Sequence, residues 1–322
     1  MSAGIAWRAS LGDVWQLSLA PGSVARLPWP LAWRLSQQLA RRSGLYAESV
    51  AAAASAPEWL PLDDSAAFQR KLRLVTLLDI VDLHWSRRHA LDAWPAQVQI
   101  AGAWPAQGAF VAITFHYGTG LWLCRALRRA GHKSQFLSAR FERSAFARRP
   151  LLYRYGVQRL AEVERIGGEP VARRPGVRKT LLDTLARGSA VIGLIDVPPR
   201  LAPHGQHPVS LLGQPASLPD GLLRLAAVAG VPVVPCWVEV DFTSGERRVV
   251  IGQAQSPQPA EAVLEQLAAS LDRLIRAEPG AWHFWCEWPA WLRDAAPLHA
   301  AGFSNAAAKG RLQESAAAGR SP

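Results

Sequence analysis

"VAITFHYGTGLWLCRALRRAG", residues 111–131, decides the architecture that the rest of the chain has to fit. An apolar run stops at His116. Gly118 and Gly120 make a turn, and the residues from 121 onward have helical spacing that closes at Gly131. A buried strand feeding a helix through a short glycine turn is the opening of an α/β unit. The same turn presents His116 at a strand end and leaves the backbone at Gly118 and Gly120 open to a substrate. The N-terminus of the following helix offers unpaired N–H groups that could stabilise an oxyanion. A catalytic imidazole needs a partner to hold its tautomer, yet no Asp or Glu lies between Asp92 and Glu142.

Outward from this stretch the same alternation continues. "SQFLSARF" (134–141), "SAVIGLIDV" (189–197), "VPVVPCWVEV" (231–240) and "ERRVVIGQ" (246–253) read as strands, the last two joined as a hairpin through Ser244-Gly245. Residues 151–166, 175–187, 218–230 and about 260–277 read as helices. The pattern predicts an α/β fold: a central, mostly parallel sheet flanked by helices, with an N-terminal helical segment. Sites in such sheets form beyond the carboxyl ends of strands. His116 and Asp196 both stand at such ends, so one crevice can hold both. Asp196 precedes Pro198-Pro199 and reads either as an acid that orients the imidazole or as a cap on nearby backbone N–H groups.

Upstream, residues 64–89 form a helix that starts after two aspartates, with Phe68, Leu72, Val75, Leu78 and Val81 three and four apart. Before it, Leu31, Trp33, Leu35 and Leu39 lie among Arg34, Arg41 and Arg42. This amphipathic stretch near 28–42 suits either a membrane interface or a helix packed on the main domain. The expected organisation is a membrane-associating segment over 1–63, a main domain over 64–294, and a disordered tail over 295–322.

Composition narrows the partners. The 322-residue chain carries a net charge of +11 and a mean hydropathy of +0.02. The positive excess favours anionic partners such as acidic lipid headgroups, phosphorylated substrates or an acidic protein. Cys124, Cys236 and Cys286 are scattered and form no disulfide framework, which suits a reducing compartment. No charged region followed by an apolar core opens the sequence, and no run of about 18 apolar residues spans a bilayer.

Several chemistries are disfavoured. There is no nucleophile elbow, no phosphate-binding lysine loop and no complete dinucleotide fingerprint. His204 and His207 in "HGQH" lack neighbouring carboxylates and read as polar loop residues, so neither a metal nor another cofactor is expected. "WHFWCEW" (282–288) reads as a strand or edge packed on the core. Across the chain the aromatic residues alternate with apolar residues and not with basic ones, and no RNP or OB pattern appears, which disfavours nucleic-acid binding.

The order of these pieces resembles the lysophospholipid/lipid A acyltransferase family, the late acyltransferases of Gram-negative bacteria. The resemblance covers roughly 60–293. It rests on the strand into His116-Tyr117-Gly118, the strand with Arg140, and "GSAVIGLIDVPP" (188–199). After these come "VSLLGQPASLPDGLLRLAAVAGVPVVP" (209–235) and "AWHFWCEWPAWLR" (281–293). It implies an acyltransferase-like sandwich. It also implies transfer of a fatty acyl chain from acyl carrier protein or coenzyme A to a hydroxyl of lipid A, another glycolipid, or a polyene or pigment-like lipid. The family motif is His, four residues, then Asp or Glu, with His as general base and the acid orienting it. His116 matches, but the acid position falls on Leu121, so the helper has to come from a distant strand end, and Asp196 is the candidate. Arg140 is the candidate phosphate or oxyanion contact, and Arg224 a lesser substrate contact or a carbonyl-capping residue. The helix over 121–130, with Arg125, Arg128 and Arg129, is the candidate docking face for an acidic carrier. The family's hydrophobic anchor is reduced here to the 28–42 stretch, which implies a peripheral enzyme at the cytoplasmic face of the bacterial inner membrane. Leu121 also leaves open a non-catalytic relative that binds acyl chains or the carrier.

Overall fold

The computed structural model describes residues 11–53 and 56–298. Helices α1 (Ala20–Val24), α2 (Trp29–Ala40) and α3 (Ala47–Ala52) lead into the long helix α4 (Ser65–Ser86). The Asp64 side chain caps α4 by accepting from Ala67 N–H at 2.9 Å. All five expected apolar positions of α4 are buried.

Strands β1 (Val98–Ala101), β2 (Val111–Thr114), β3 (Ser134–Ser138), β4 (Ala172–Arg173), β5 (Ala190–Leu194), β8 (Val233–Val240) and β9 (Arg247–Ile251) form one sheet in the order β1-β9-β8-β2-β5-β3-β4. From β8 to β4 every pairing is parallel, while β8 and β9 form the expected antiparallel hairpin. The helices α5 (Leu121–Arg129), α6 (Pro150–Gly167), α7 (Arg178–Ala186), α8 (Gly221–Ala229) and α9 (Ala260–Ala277) belong to the same α/β arrangement. β2 lies at the centre, and its residues serve two cores. Val111, Ile113 and Phe115 join one apolar cluster, while Phe110 and Ala112 join another with Trp122 and Leu127 of α5. A strand covered on both faces reads as a continuous apolar run, which is why "AFVAITF" shows no alternation.

Three expectations change. First, "HPVSLLGQPASLP" folds as a separate antiparallel hairpin, β6 (Gln206–Leu211) with β7 (Gln214–Pro219), so Pro219 ends a strand and the next helix begins at Gly221. Second, "WHFWCEW" is not a strand. It forms 3₁₀ turns at Pro279–Ala281 and His283–Cys286, followed by a helical stretch over 288–298. Trp282, Trp285, Trp288 and Trp291 recur every third residue, a helical spacing, and all four are buried at 0–1 % exposure. That stretch also carries order past the expected domain end, with Ala295 buried. The remainder of the expected tail, from 299, lies outside the described residues.

Third, the Trp33 and Leu39 face of α2 is not free for a membrane. Both side chains are buried, Trp33 Nε1–H donates to Thr243 O at 2.9 Å, and α2 packs on α4. Gly245 in the β8–β9 turn makes this docking possible, because a Cβ there would stand 2.3 Å from the Trp33 ring. Beneath this contact, Arg247 of β9 donates to Asp82 of α4 at 2.6 Å, with both side chains almost fully buried. Trp122 Nε1–H of α5 reaches the same carboxylate at 2.7 Å. Among the described residues no helix is long and apolar enough to cross a membrane.

Candidate active site

Sheet register brings His116 and Asp196 together. β2 and β5 pair in parallel with Thr114 opposite Leu194, so the residues two places beyond each strand end come out side by side. His116 Nδ1 lies 2.9 Å from Asp196 Oδ1, and the His116 backbone N–H donates to both carboxylate oxygens at 3.0 and 2.9 Å. Asp196 is fully buried, and Trp282 Nε1–H donates to its Oδ2 at 3.0 Å. A buried carboxylate needs such donors to compensate lost water. Asp196 therefore bonds both the imidazole and the backbone N–H of His116 at the end of the neighbouring strand. A carboxylate oxygen can only accept, so Nδ1–H is the donor in this contact and Nε2 is the nitrogen of the ring left to other partners.

The C-terminal turn closes over this pair. Phe284 stacks on the imidazole, with ring centroids 3.8 Å apart and planes 16° from parallel. His283 N–H donates to His116 O at 2.9 Å, and its Nε2–H donates to Gly118 O at 2.7 Å. Burial holds the His283 imidazole below its ordinary pKa, which favours the neutral, single-proton form that this contact uses. Tyr117 points away, its hydroxyl donating to Leu274 O at 3.1 Å.

His116 opens onto a cavity of about 1250 Å³. Its walls include Leu121, Cys124, Phe136, Leu137, Leu160 and Val163, and its lining also includes Arg140, Arg174, Arg178 and Arg224. Leu121, at the position where an acid was sought, is a buried apolar wall residue. Burial pushes the Cys124 thiol up to about 12, so it stays protonated and is no nucleophile. Arg140 is largely exposed, with Glu142 3.9 Å away, and Arg224 pairs with Asp220 at 3.1 Å. Among the described residues no carboxylate pairs with Arg174 or Arg178. Burial holds Arg174 below its ordinary pKa. His204 lines the cavity, and His207 Nε2 is 2.9 Å from Asp220 Oδ2.

The expected residues are only partly brought together. Gly120 lines the cavity, and a side chain there would meet open space. Gly118 does not face a substrate. Its φ is +64°, and a Cβ would stand 1.9 Å from Val238 O, so glycine is required there for the close approach to β8. Arg125 is no docking residue, because it is 1 % exposed. Its guanidinium donates to Ser86 Oγ, Ser86 O, Ala90 O and Ala93 O at 2.8–3.1 Å, binding α5 to the end of α4. Arg128 and Arg129 stand in the last turn of α5, about 6–8 Å along the helix from Cys124 of the cavity wall, and do not line the cavity. Sequence reading missed Trp282 and Phe284, which the three-residue tryptophan spacing could have signalled, and also Arg174 and Arg178. Comparison with protein-family models and with curated proteins finds no match for this chain.

Proposed function

We propose that the protein transfers a fatty acyl group from the thioester of an acyl carrier protein, or of coenzyme A, to a hydroxyl of a lipid or glycolipid. The observation that supports this reading is the His116–Asp196 pair at the wall of a large, mainly apolar cavity lined by arginines. His116 Nε2 takes the proton of the acceptor hydroxyl as the oxygen attacks the thioester carbonyl. The tetrahedral oxyanion lies toward the positive N-terminal end of α5, where the helix dipole favours it although the Trp122 and Leu123 N–H groups already donate to Thr119 O and Gly120 O at 3.4 and 3.1 Å. Collapse breaks the C–S bond, and Nε2–H returns its proton to the departing thiolate. The apolar walls hold the acyl chain, and a parallel sheet with His116 at its centre fits the acyltransferase-like sandwich.

Incubation with an acyl carrier thioester and a lipid extract is expected to release carrier thiol and acylate a lipid. Tight carrier binding with no thiol release from any lipid fraction would instead identify a non-catalytic acyl-binding protein. The anionic donor docks at the cavity arginines and not on α5. Arg140→Glu with Arg174→Glu is expected to raise KM for the carrier roughly ten-fold and to flatten its salt dependence. Arg128→Glu with Arg129→Glu leaves both unchanged, and the opposite ranking would return the docking face to α5.

The protein works as a peripheral enzyme at the cytoplasmic face of the inner membrane. Leu11, Trp15 and Leu19 recur four residues apart and are 55 %, 41 % and 55 % exposed, with Leu27 and Leu31 exposed beside Arg26 and Arg34. Such an apolar stripe with basic neighbours suits an anionic bilayer surface. In flotation with anionic vesicles, Trp15→Glu with Leu19→Glu is expected to weaken binding at least about ten-fold. Binding that these changes leave intact would exclude this face.

A further inference from the structure

Three consecutive residues of the C-terminal turn hold the catalytic loop at three different points. Trp282 bonds the carboxylate of Asp196, His283 bonds the backbone at His116 and Gly118, and Phe284 covers the imidazole face. An imidazole held only by its backbone can turn about its ring bond, which exchanges Nδ1 for a carbon and removes Nε2 from its place. Stacking on Phe284 fixes the plane of the ring but cannot distinguish its two flips. The flip is chosen by Asp196, which accepts only where Nδ1–H stands. Asp196 can do this only while its own rotation is fixed. The His116 backbone N–H bonds both oxygens and the indole N–H of Trp282 bonds Oδ2, so the two donors together set the carboxylate plane that directs Oδ1 at Nδ1.

We propose that Trp282 and Phe284 are positioning residues: Trp282 locks the Asp196 carboxylate, Phe284 locks the ring plane, and together they keep Nε2 of His116 as the nitrogen available to the cavity. The neighbouring tryptophans make the lock stiff. Trp285 and Trp288 pack edge-on against Trp282 with centroids 5.0 and 5.8 Å away. Trp285 Nε1–H is bonded to Pro279 O at 2.9 Å, and Trp291 Nε1–H to Ser217 O at 3.0 Å. The expected loss of rate rests on the acyl-transfer reading, whereas the tautomer of His116 can be read without any substrate.

The test is nitrogen NMR of histidine-labelled protein, with the His116 signals assigned by their loss in His116→Ala. The wild-type protein is expected to show one tautomer, with the proton on Nδ1. Trp282→Phe is expected to mix the tautomers and to lower kcat about ten- to hundred-fold, the equivalent of one hydrogen bond to a charged group, with KM nearly unchanged. Phe284→Leu is expected to keep the tautomer, broaden the ring signals and lower kcat. A wild-type tautomer and kcat in Trp282→Phe would overturn the proposal. If that variant does not fold, Phe284→Leu decides, and unchanged ring signals with unchanged kcat overturn it. A mixed tautomer in Trp282→Phe, with no thiol release even by wild-type protein, would uphold the lock and reject the acyl-transfer reading.

Discussion

His116→Ala is expected to lower kcat by about 10²–10⁴-fold with the fold intact, the usual contribution of a positioned general base. Asp196→Asn is expected to lose a similar amount. The carboxylate serves three donors with two oxygens: the ring Nδ1–H, the backbone N–H of His116 and the indole N–H of Trp282. An amide has a single acceptor oxygen, so at least one of these donors would face an NH₂ group. If that donor is Nδ1–H, the imidazole is driven to the wrong tautomer. Leu121→Glu is expected to give no gain, because Nδ1 already has its acid and the new carboxylate would enter an apolar wall. Steady-state kinetics on the three variants, with circular dichroism as the check on folding, tests these outcomes. Full activity in His116→Ala would exclude the mechanism. Full activity in Asp196→Asn, together with a gain in Leu121→Glu, would assign the helper role to the helix position after all.

Arg247→Ala is expected to have the largest effect on stability, about 3–5 kcal/mol, because it strands a buried carboxylate. Asp82 and Arg247 connect α4 to β9, Trp122 ties α5 to the same acid, and Trp29 of α2 lies 4.5 Å from the guanidinium. Burial pushes the Asp82 carboxyl above its ordinary pKa, while the charge of Arg247 pulls it back. The folded protein thus keeps a proton that the unfolded chain releases near about pH 4. Stability contributed by this group is lost as pH rises from there through the folded value. Removing Arg247 raises the folded value further, so the deficit of Arg247→Ala should be smaller near pH 4 than near pH 8. Urea unfolding at both pH values measures it. A loss below about 1 kcal/mol at pH 8 would mean that the pair is dispensable to the fold.

Local pattern was enough to locate the sheet and its helices. "AFVAITF" and "SAVIGLIDV" are short, apolar throughout and bounded by turn residues, and they became β2 and β5 because both of their faces are covered. The Gly-rich turn after His116 and the strand end at Asp196 were legible for the same reason, and the idea that they share a crevice followed from fold class. Their meeting at 2.9 Å was decided by β2–β5 register, a pairing between segments eighty residues apart. Tertiary structure also decided which surfaces are covered. An apolar stripe such as Trp33 and Leu39 gains the same burial against protein as against lipid, so periodicity cannot choose between them. The choice fell to the β8–β9 turn, where Gly245 leaves room for the Trp33 ring. Arg125 looks like a surface charge because charge alone is written in the sequence. The carbonyls that draw it inward belong to residues 86–93, and they converge on it only after α4 and α5 have packed. Trp282 likewise became part of the candidate site only when the C-terminal turn folded back over the end of β5, since a donor for a buried carboxylate is defined by who arrives beside it.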